Sequence, residues 1–341
     1  MRSLLPVVLS SVSLNPPMTR DFRRSCLVLL LVIAVSHLEL HAQDSTSVGK
    51  LPIAKLQQLA DSGDPAAQNE LGVRYRIGTD VEKDPAKAIP WFLKAAKQGY
   101  AKAYFNLGAA YYNGDGVPVN DQNYCAWFIF SADAGDQRGV EAVARTRQEL
   151  PPAQMNRCEV LVATAYLTGG IVRQDYGKAL NWYVTAATAG DGAACAKLAY
   201  LYDNGIGVSV DKAGSLRWLQ RAADLNDPPS LYQLGMAYET GTGVPTDFAK
   251  AKKLYEQASY LGLAQAFAAL GAIYAEGRGV KPDQQKALAY YLVAANNKVT
   301  AAQQKVDELS AKLSAKQVAA AKQDAAKLSG FTRGPVILVR K

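Results

Sequence analysis

Residues 113–121 read NGDGVPVND and place two glycines among carboxylate and amide side chains. Glycine-rich backbone can cradle a phosphate, and clustered carboxylates can hold calcium, so this stretch raises both kinds of chemistry. Closely similar stretches follow as NGIGVSVDK at 204–212, TGTGVPTDF at 240–248 and EGRGVKPDQ at 276–284. The last three begin 36 residues apart, which indicates an internal repeat rather than a single ligand-binding loop.

Within the repeat, these loops have the composition of a helix end followed by a helix start. The first glycine can close one helix in the left-handed conformation, and the later Asp or Asn can cap the next helix. The second glycine is replaced by Asp80 in the first copy and by Ile171 in the third, and no loop has the Glu that ends a calcium loop. We therefore predict no cofactor or metal site here. The expected closing glycines are Gly78, Gly114, Gly169, Gly205, Gly241 and Gly277. The expected caps are Asp84, Asn120, Asp175, Asp211, Asp247 and Asp283.

Histidine chemistry depends on whether the N-terminal segment is removed. Residues 18–45 have a basic start, an apolar run and a small residue, Ala42, before a polar stretch. This pattern predicts a signal peptide over residues 1–42, with the true start at Met18, and an exported protein that is periplasmic or secreted. An uncleaved anchor is the alternative, although the apolar run is shorter than the roughly 20 residues of a span. Cleavage would leave no stable span and would remove both histidines, His37 and His41, which excludes histidine triads and histidine metal ligands.

Charge and cysteine content limit the remaining partners. The net charge of +8 becomes +6 after cleavage, and no block of Lys and Arg occurs, so we predict no nucleic-acid site. Cys125, Cys158 and Cys195 remain, at a spacing that matches no metal motif. Buried thiols are the simpler expectation. If one disulfide forms, we expect it between Cys125 and Cys158, because only one extra helix should separate their elements.

Six copies of the repeat occupy residues 64–99, 100–135, 155–190, 191–226, 227–262 and 263–298. In the first copy, Ala67, Leu71 and Tyr75 lie four residues apart and predict one apolar helical stripe. A second helix with Trp91 on its apolar side follows the loop. One such hairpin cannot bury its own apolar stripes, so neighbouring hairpins must stack.

The recurring pattern LGxxYxxGxGVxxDxxKAxxWxxKAAxxG resembles the Sel-one-like repeat family, a relative of the tetratricopeptide repeat. The resemblance covers all six copies; Leu254 departs from it at the Trp position of the fifth copy, and Tyr124 replaces the usual Ala or Ser in the second. It implies an all-α fold, a right-handed α-α superhelix (solenoid) of about six helix hairpins with terminator helices. It also implies a concave surface that is presented to partners.

Segments outside the repeats suggest an inner duplication. Residues 136–163 match residues 299–328 at an offset of 163, so each stretch is interpreted as the helical terminator of an array. We assign residues 43–63 to an N-terminal linker and the start of the first helix, 136–154 to a phase-breaking helix and 299–329 to C-terminal capping helices. The tail, 330–341, is interpreted as a frayed end, as a strand that adds to another protein's sheet, or as a segment that folds back into the groove.

The leading functional prediction is a protein-protein interaction scaffold that binds another protein or peptide on the concave face. By analogy with tetratricopeptide packing, the positions two before and two, five and six after the repeated leucine face the groove. Aromatic, Met and Arg side chains there are typical of protein interfaces. The predicted partner-binding residues are Asn69, Arg76, Phe105, Tyr112, Asn113, Tyr200, Asp203, Asn204, Tyr232, Met236 and Glu239. The sequence leaves the oligomeric state open.

Two other functions remain possible on the sequence alone. A secreted, carboxylate-dependent hydrolase of cell-wall material would need paired carboxylates or Ser–Lys chemistry. No such constellation is visible, so we predict no catalytic residues and no enzyme; a deep pocket with two close carboxylates would favour the hydrolase, and a long open groove the scaffold. The +6 charge or the tail could instead bind an anionic membrane surface.

Overall fold

The computed structural model describes residues 48–330, and within this range it contains sixteen α-helices and no strand. The predicted signal peptide and nearly all of the tail lie outside the described residues. The helices are α1 (Ile53–Asp61), α2 (Pro65–Ile77), α3 (Pro85–Lys97), α4 (Ala101–Asn113), α5 (Asp121–Asp133), α6 (Gln137–Glu149), α7 (Pro152–Thr168), α8 (Tyr176–Thr188), α9 (Gly192–Asn204), α10 (Lys212–Asp224), α11 (Pro228–Thr240), α12 (Phe248–Tyr260), α13 (Ala264–Glu276), α14 (Gln284–Asn296), α15 (Thr300–Lys312) and α16 (Ala315–Gly330).

The helices pack as consecutive hairpins. The closest pairs are α2 with α3, α4 with α5, α7 with α8, α9 with α10, α11 with α12 and α13 with α14. Contacts between hairpins join mainly the second helix of one to the first helix of the next. This nearest-neighbour pattern is that of an α-solenoid and confirms the predicted all-α superhelical repeat fold.

The predicted caps start every second helix of the six hairpins. Asp84 accepts a hydrogen bond from the backbone N–H of Lys87 at 3.1 Å, and Asp283 accepts one from Lys286 at 2.9 Å. Asn120, Asp175, Asp211 and Asp247 accept the equivalent bond. Each bond satisfies a backbone donor that the first helical turn leaves unpaired.

The closing glycines behave as predicted in five hairpins and differently in one. Gly78, for example, ends α2 in the left-handed conformation at φ 89° and ψ 38°. The prediction is wrong in detail for Gly169, which has φ 73° but ψ −158°. The next residue, Gly170, also has a positive φ of 98°, so in this copy the chain turns over two adjacent glycines.

Small residues on the first helices allow the paired helices to approach closely. A Cβ atom added at Gly72 would lie 2.6 Å from Cε1 of Phe92, whose ring is fully buried. Gly235 and Gly271 meet the rings of Tyr255 and Tyr291 in the same way. The residue that follows the repeated Trp therefore packs against the glycine that follows the repeated Leu.

The second loop glycine has a role that the sequence analysis missed. A Cβ atom added at Gly116 would lie 2.6 Å from the backbone nitrogen of Ala86, at the start of the preceding hairpin's second helix. Gly207 and Gly279 approach Tyr176 and Phe248 in the equivalent place. The copies that lack this glycine are the first in the array and the one after the interruption. In both, no regular repeat hairpin directly precedes the loop.

The interruption between the second and third hairpins has the same construction as the C-terminal end. Helices α6 and α7 both pack on α5, and α15 and α16 both pack on α14. The bounds of α6 and α15, and the starts of α7 and α16, differ by 163 residues. Leu150 and Leu313 follow α6 and α15 in extended conformations, so the local geometry repeats as well.

A disulfide spans the interruption. It joins Cys125 of α5 to Cys158 of α7, the pair that the sequence favoured, so the simpler expectation of free thiols is wrong for these two residues. Cys195 is free and buried. At the offset of 163 residues, Leu288 and Ala321 occupy the places of the bonded cysteines, and both are fully buried. An apolar contact in the second terminator thus replaces the covalent link in the first.

Candidate protein-binding surface

We call the predicted positions on the first helices the groove face, which comprises the positions two before and two, five and six after each repeated leucine. Successive positions of this set are three or four residues apart, so they share one side of each helix. Four large apolar side chains on this face are exposed. They are Ile77 at 59%, Tyr112 at 38%, Tyr200 at 55% and Met236 at 43%.

Asn69 does not belong to an accessible surface. Its side chain is only 7% exposed, and its Oδ1 accepts a hydrogen bond from Nδ2 of Asn106 at 2.8 Å. This buried amide pair joins α2 to α4, so Asn69 is corrected from a partner contact to a contact between hairpins. A buried polar group needs such a partner, because an unsatisfied amide is costly in the core.

Tyr232 and Glu239 are engaged inside the solenoid. The ring of Tyr232 packs on that of Tyr255 at 5.4 Å between centroids. The hydroxyl of Tyr255 donates to Oε2 of Glu239 at 2.6 Å, and Arg278 forms an ion pair with the same carboxylate. Burial and the Glu239 carboxylate raise the pKa of Tyr255. The carboxylate of Glu239 is therefore already bonded to the next hairpin.

Other predicted residues keep more of their surface. Asp203 forms an ion pair with Lys212 at 2.9 Å, and the exposed Asn204 donates to the backbone oxygen of Tyr200 at 2.9 Å. Arg76 is half-buried, with its guanidinium 5.9 Å from the centroid of the Phe92 ring. These residues lie at the groove face without forming one compact site.

Three predicted residues do come together, at a cavity of about 270 Å³ between α4, α5 and α6. Phe105, Tyr112 and Asn113 of α4 line it together with Phe128 of α5. The rings of Phe105 and Phe128 are 5.6 Å apart, and those of Tyr112 and Phe128 are 6.4 Å apart. The cavity therefore has an aromatic floor at the groove face. We refer to it as the α4–α6 cavity.

Helix α6 supplies the charged rim of the α4–α6 cavity. The guanidinium of Arg138 lies 4.3 Å from the centroid of the Phe105 ring and pairs with Asp136 at 2.6 Å. Oε1 of Glu149 accepts a hydrogen bond from the hydroxyl of Tyr112 at 3.3 Å. Arg145, which also lines the cavity, is exposed and has no hydrogen bond or ion pair within residues 48–330.

The sequence analysis treated α6 only as an interruption and missed these residues. A signal was present, because Arg138, Glu141, Arg145 and Glu149 lie three or four residues apart and so share one helical side. Gly139, Ala142 and Thr146 are the buried residues of α6. The charged side of α6 can be found in the sequence, but its position beside Phe105 and Tyr112 depends on tertiary packing.

The described residues offer no arrangement suited to the hydrolase alternative. Glu141 and Glu149 both line the α4–α6 cavity, but eight residues of helix separate them by about 12 Å along the axis. Paired glycosidase carboxylates lie roughly 5–9.5 Å apart. A second cavity of about 320 Å³ lies beside the α4–α5 loop and contains one carboxylate, Asp121.

Two broader searches cover the same part of the chain. Within residues 48–330, no three His, Cys, Asp or Glu side chains cluster closely enough to hold a metal ion. No helix in that range has the length and apolar character needed to cross a membrane.

Comparison with known proteins identifies the repeat. The family model described as Sel1 repeat matches residues 65–100, 101–136, 152–191, 192–227, 228–263 and 264–299. The chain belongs to the Sel1 repeat family. Sel1 repeat proteins generally mediate protein–protein interactions and are generally non-catalytic. The breaks in the matched ranges fall around α6, which carries the rim of the α4–α6 cavity.

Individual Sel1 repeat relatives are similar over different parts of the chain. The chitin synthase regulator SKT5 of Saccharomyces cerevisiae is 35% identical over 85 residues, which are 24% of this chain and 12% of SKT5. A Sel1 repeat protein of Oxalobacter formigenes is 32% identical, with 74% of this chain and 78% of that chain covered and a TM-score of 0.45. A protective antigen of uropathogenic Escherichia coli with an SLR fold is 23% identical, with 81% and 79% covered and a TM-score of 0.36.

Proposed function

We propose that the protein is an exported interaction scaffold that binds a partner polypeptide along the groove face. The observation that carries this proposal is the row of exposed Ile77, Tyr112, Tyr200 and Met236 at equivalent positions of four first helices. These side chains are large enough to be buried, and yet the repeat holds them at its surface. Exposed apolar side chains that recur on one face are typical of interaction sites, and tyrosine is common among residues that dominate binding energy.

Export is proposed from two features. The sequence of residues 1–42 has the organisation of a signal peptide, and the Cys125–Cys158 disulfide suits an oxidising compartment. The partner is accordingly proposed to be another exported or envelope protein. We propose no role in nucleic-acid binding, because the basic residues are spread among acidic ones.

The proposal is tested by crosslinking capture from the cell envelope with the chain that begins at residue 43. The test variant carries Tyr200→Ala and Met236→Ala, which remove two side chains of the groove face outside the α4–α6 cavity. The control carries Tyr176→Ala and Tyr260→Ala, whose side chains lie on second helices and have matched exposures of 41% and 55%. We expect the test variant to lose at least about tenfold in recovery of the principal partner, because each anchor contributes roughly 1 kcal/mol or more.

The control separates specific binding from general surface stickiness. It removes a similar amount of exposed apolar surface, so its recovery of the partner should match that of the wild type. Equal recovery by the wild type and the groove-face variant would refute the proposed face.

A further inference from the structure

We infer that the α4–α6 cavity is an anchor site for an acidic peptide segment of the partner. An aromatic side chain of that segment enters the cavity, and an adjacent carboxylate binds Arg145. The inference rests on the proposed function and adds the chemistry of the partner to it.

The size and lining of the cavity favour a side chain as the occupant. At about 270 Å³ it falls just below the roughly 300–1,000 Å³ that ligand pockets occupy. Its floor consists of the rings of Phe105 and Phe128, with Tyr112 at the edge. Aromatic rings pack favourably in tilted and edge-on arrangements, so an aromatic anchor can extend the cluster that is already present.

The bonding of the rim indicates the charge of the partner. Arg138 is held by Asp136 and by the Phe105 ring, and Glu149 accepts the bond from Tyr112. Glu141 accepts a bond from Gln137 at 3.5 Å. Arg145 is the rim charge that no other group in residues 48–330 engages. A carboxylate next to the anchor would give this guanidinium the bidentate partner that its geometry favours.

The inner duplication provides an internal comparison for the site. At the offset of 163 residues, Ala268 and Ala275 stand in the places of Phe105 and Tyr112. Ala301 and Glu308 stand in the places of Arg138 and Arg145. The second terminator keeps the same helix arrangement without these four residues, so the fold does not require the aromatic and basic set of the first terminator.

Three labelled peptides test the inference by fluorescence anisotropy with the mature chain. Their sequences are Gly-Asp-Trp-Asp-Gly, Gly-Lys-Trp-Lys-Gly and Gly-Asp-Ala-Asp-Gly. We expect the acidic tryptophan peptide to bind at least about tenfold more tightly than the other two, since a filled aromatic anchor and an arginine pair each contribute over about 1 kcal/mol. Arg145→Glu should reverse the preference between the acidic and basic peptides.

Two variants guard against a misleading loss of binding. Lys253→Glu makes the same charge change at an exposed position of α12 and should leave the preference unaltered. The combination of Phe105→Ala, Tyr112→Ala and Arg138→Ala introduces the residues that the second terminator tolerates. It should keep the helical circular dichroism of the wild type while losing the acidic tryptophan peptide.

The outcomes separate this inference from the proposed function. Equal binding of the tryptophan and alanine peptides, a preference that survives Arg145→Glu, or no binding at about 1 mM peptide would each overturn the anchor site. If envelope capture depends on Tyr200 and Met236 but not on Arg145, the scaffold stands and the anchor site falls. If capture depends on none of these residues, both are wrong.

Discussion

At the scale of single residues, Asp133 carries a contact across the interruption. Its Oδ2 accepts a hydrogen bond from Nε1 of Trp182 at 2.7 Å, and its backbone oxygen accepts one from Nζ of Lys178 at 3.1 Å. Burial raises the pKa of the Asp133 carboxyl above its ordinary value of 3.8, although the Trp182 hydrogen bond works in the opposite direction. The second helix of the third hairpin is thereby tied to α5 through a carboxyl that binds its proton more tightly when folded.

This raised pKa predicts a pH-dependent stability difference between the wild type and Asp133→Asn. Protonation favours the folded wild type as the pH falls toward the ordinary pKa, and that stabilisation is lost as the pH rises through the folded-state pKa. The wild type should therefore lose stability relative to the variant, which does not titrate at this position, as the pH rises from about 4 to about 8. Urea unfolding of both proteins across this range measures the difference. A difference that is constant with pH would contradict the prediction.

The disulfide is a second feature of single residues, and the duplication suggests how to remove it. The cysteines close a loop with a sequence separation of 33, for which chain entropy predicts about 3–4 kcal/mol of stabilisation. Cys125→Leu with Cys158→Ala introduces the residues found at Leu288 and Ala321. We expect a folded protein whose free energy of unfolding is lower by up to that amount. A reducing agent should lower the urea midpoint of the wild type and leave that of the double variant unchanged.

At the scale of helices and loops, the glycine pair of each loop serves two different purposes. The first ends a helix, and the second lets the loop approach the preceding hairpin. Gly116 and Gly243 occupy the same loop position with φ values of 75° and 74°. A Cβ atom at Gly243 would lie 3.9 Å from its nearest neighbour, Leu216 Cδ2, whereas at Gly116 it would meet the backbone of Pro85 and Ala86.

Gly116→Ala should therefore destabilise the protein more than Gly243→Ala. Both substitutions place a side chain at a positive φ, which costs roughly 1–2 kcal/mol. Only Gly116→Ala also forces a clash between hairpins, which adds roughly 1–3 kcal/mol by analogy with overpacked cores. Urea unfolding of the two variants measures the difference directly. Equal destabilisation would show that the approach of the loop to Pro85 is not a constraint.

The sequence predicts the helices well because their signals are local. The caps from Asp84 to Asp283 and the closing glycines act within a few residues of their own positions. Contacts between hairpins are harder to predict, as Asn69 shows: it has a groove-face position, but Asn106 on the next hairpin draws it into the core. The rim of the α4–α6 cavity was missed for the same reason, because α6 and α4 meet only through packing on α5.

At the scale of the whole molecule, the duplication divides the solenoid into two arrays with equivalent ends. Helices α6 and α7 stand to α5 as α15 and α16 stand to α14. The terminators differ on the side that follows: α7 continues into a hairpin with α8, whereas α16 is the last helix of the structure described. Val160 and Thr164 of α7 accordingly correspond to the polar Gln323 and Lys327 of α16.

This equivalence predicts that residues 43–167 fold alone as a short array. The fragment ends where α16 ends once the offset of 163 is applied, so α6 and α7 cover α5 as a terminator should. We expect helical circular dichroism and a cooperative urea transition. Val160→Gln with Thr164→Lys should increase its solubility, because these substitutions give α7 the polar residues of the C-terminal helix. A fragment of residues 43–135 leaves the buried face of α5 open and should aggregate or unfold without cooperativity. If the two fragments behave alike, α6 and α7 are not a terminator, and the interruption must be explained by the binding surface alone.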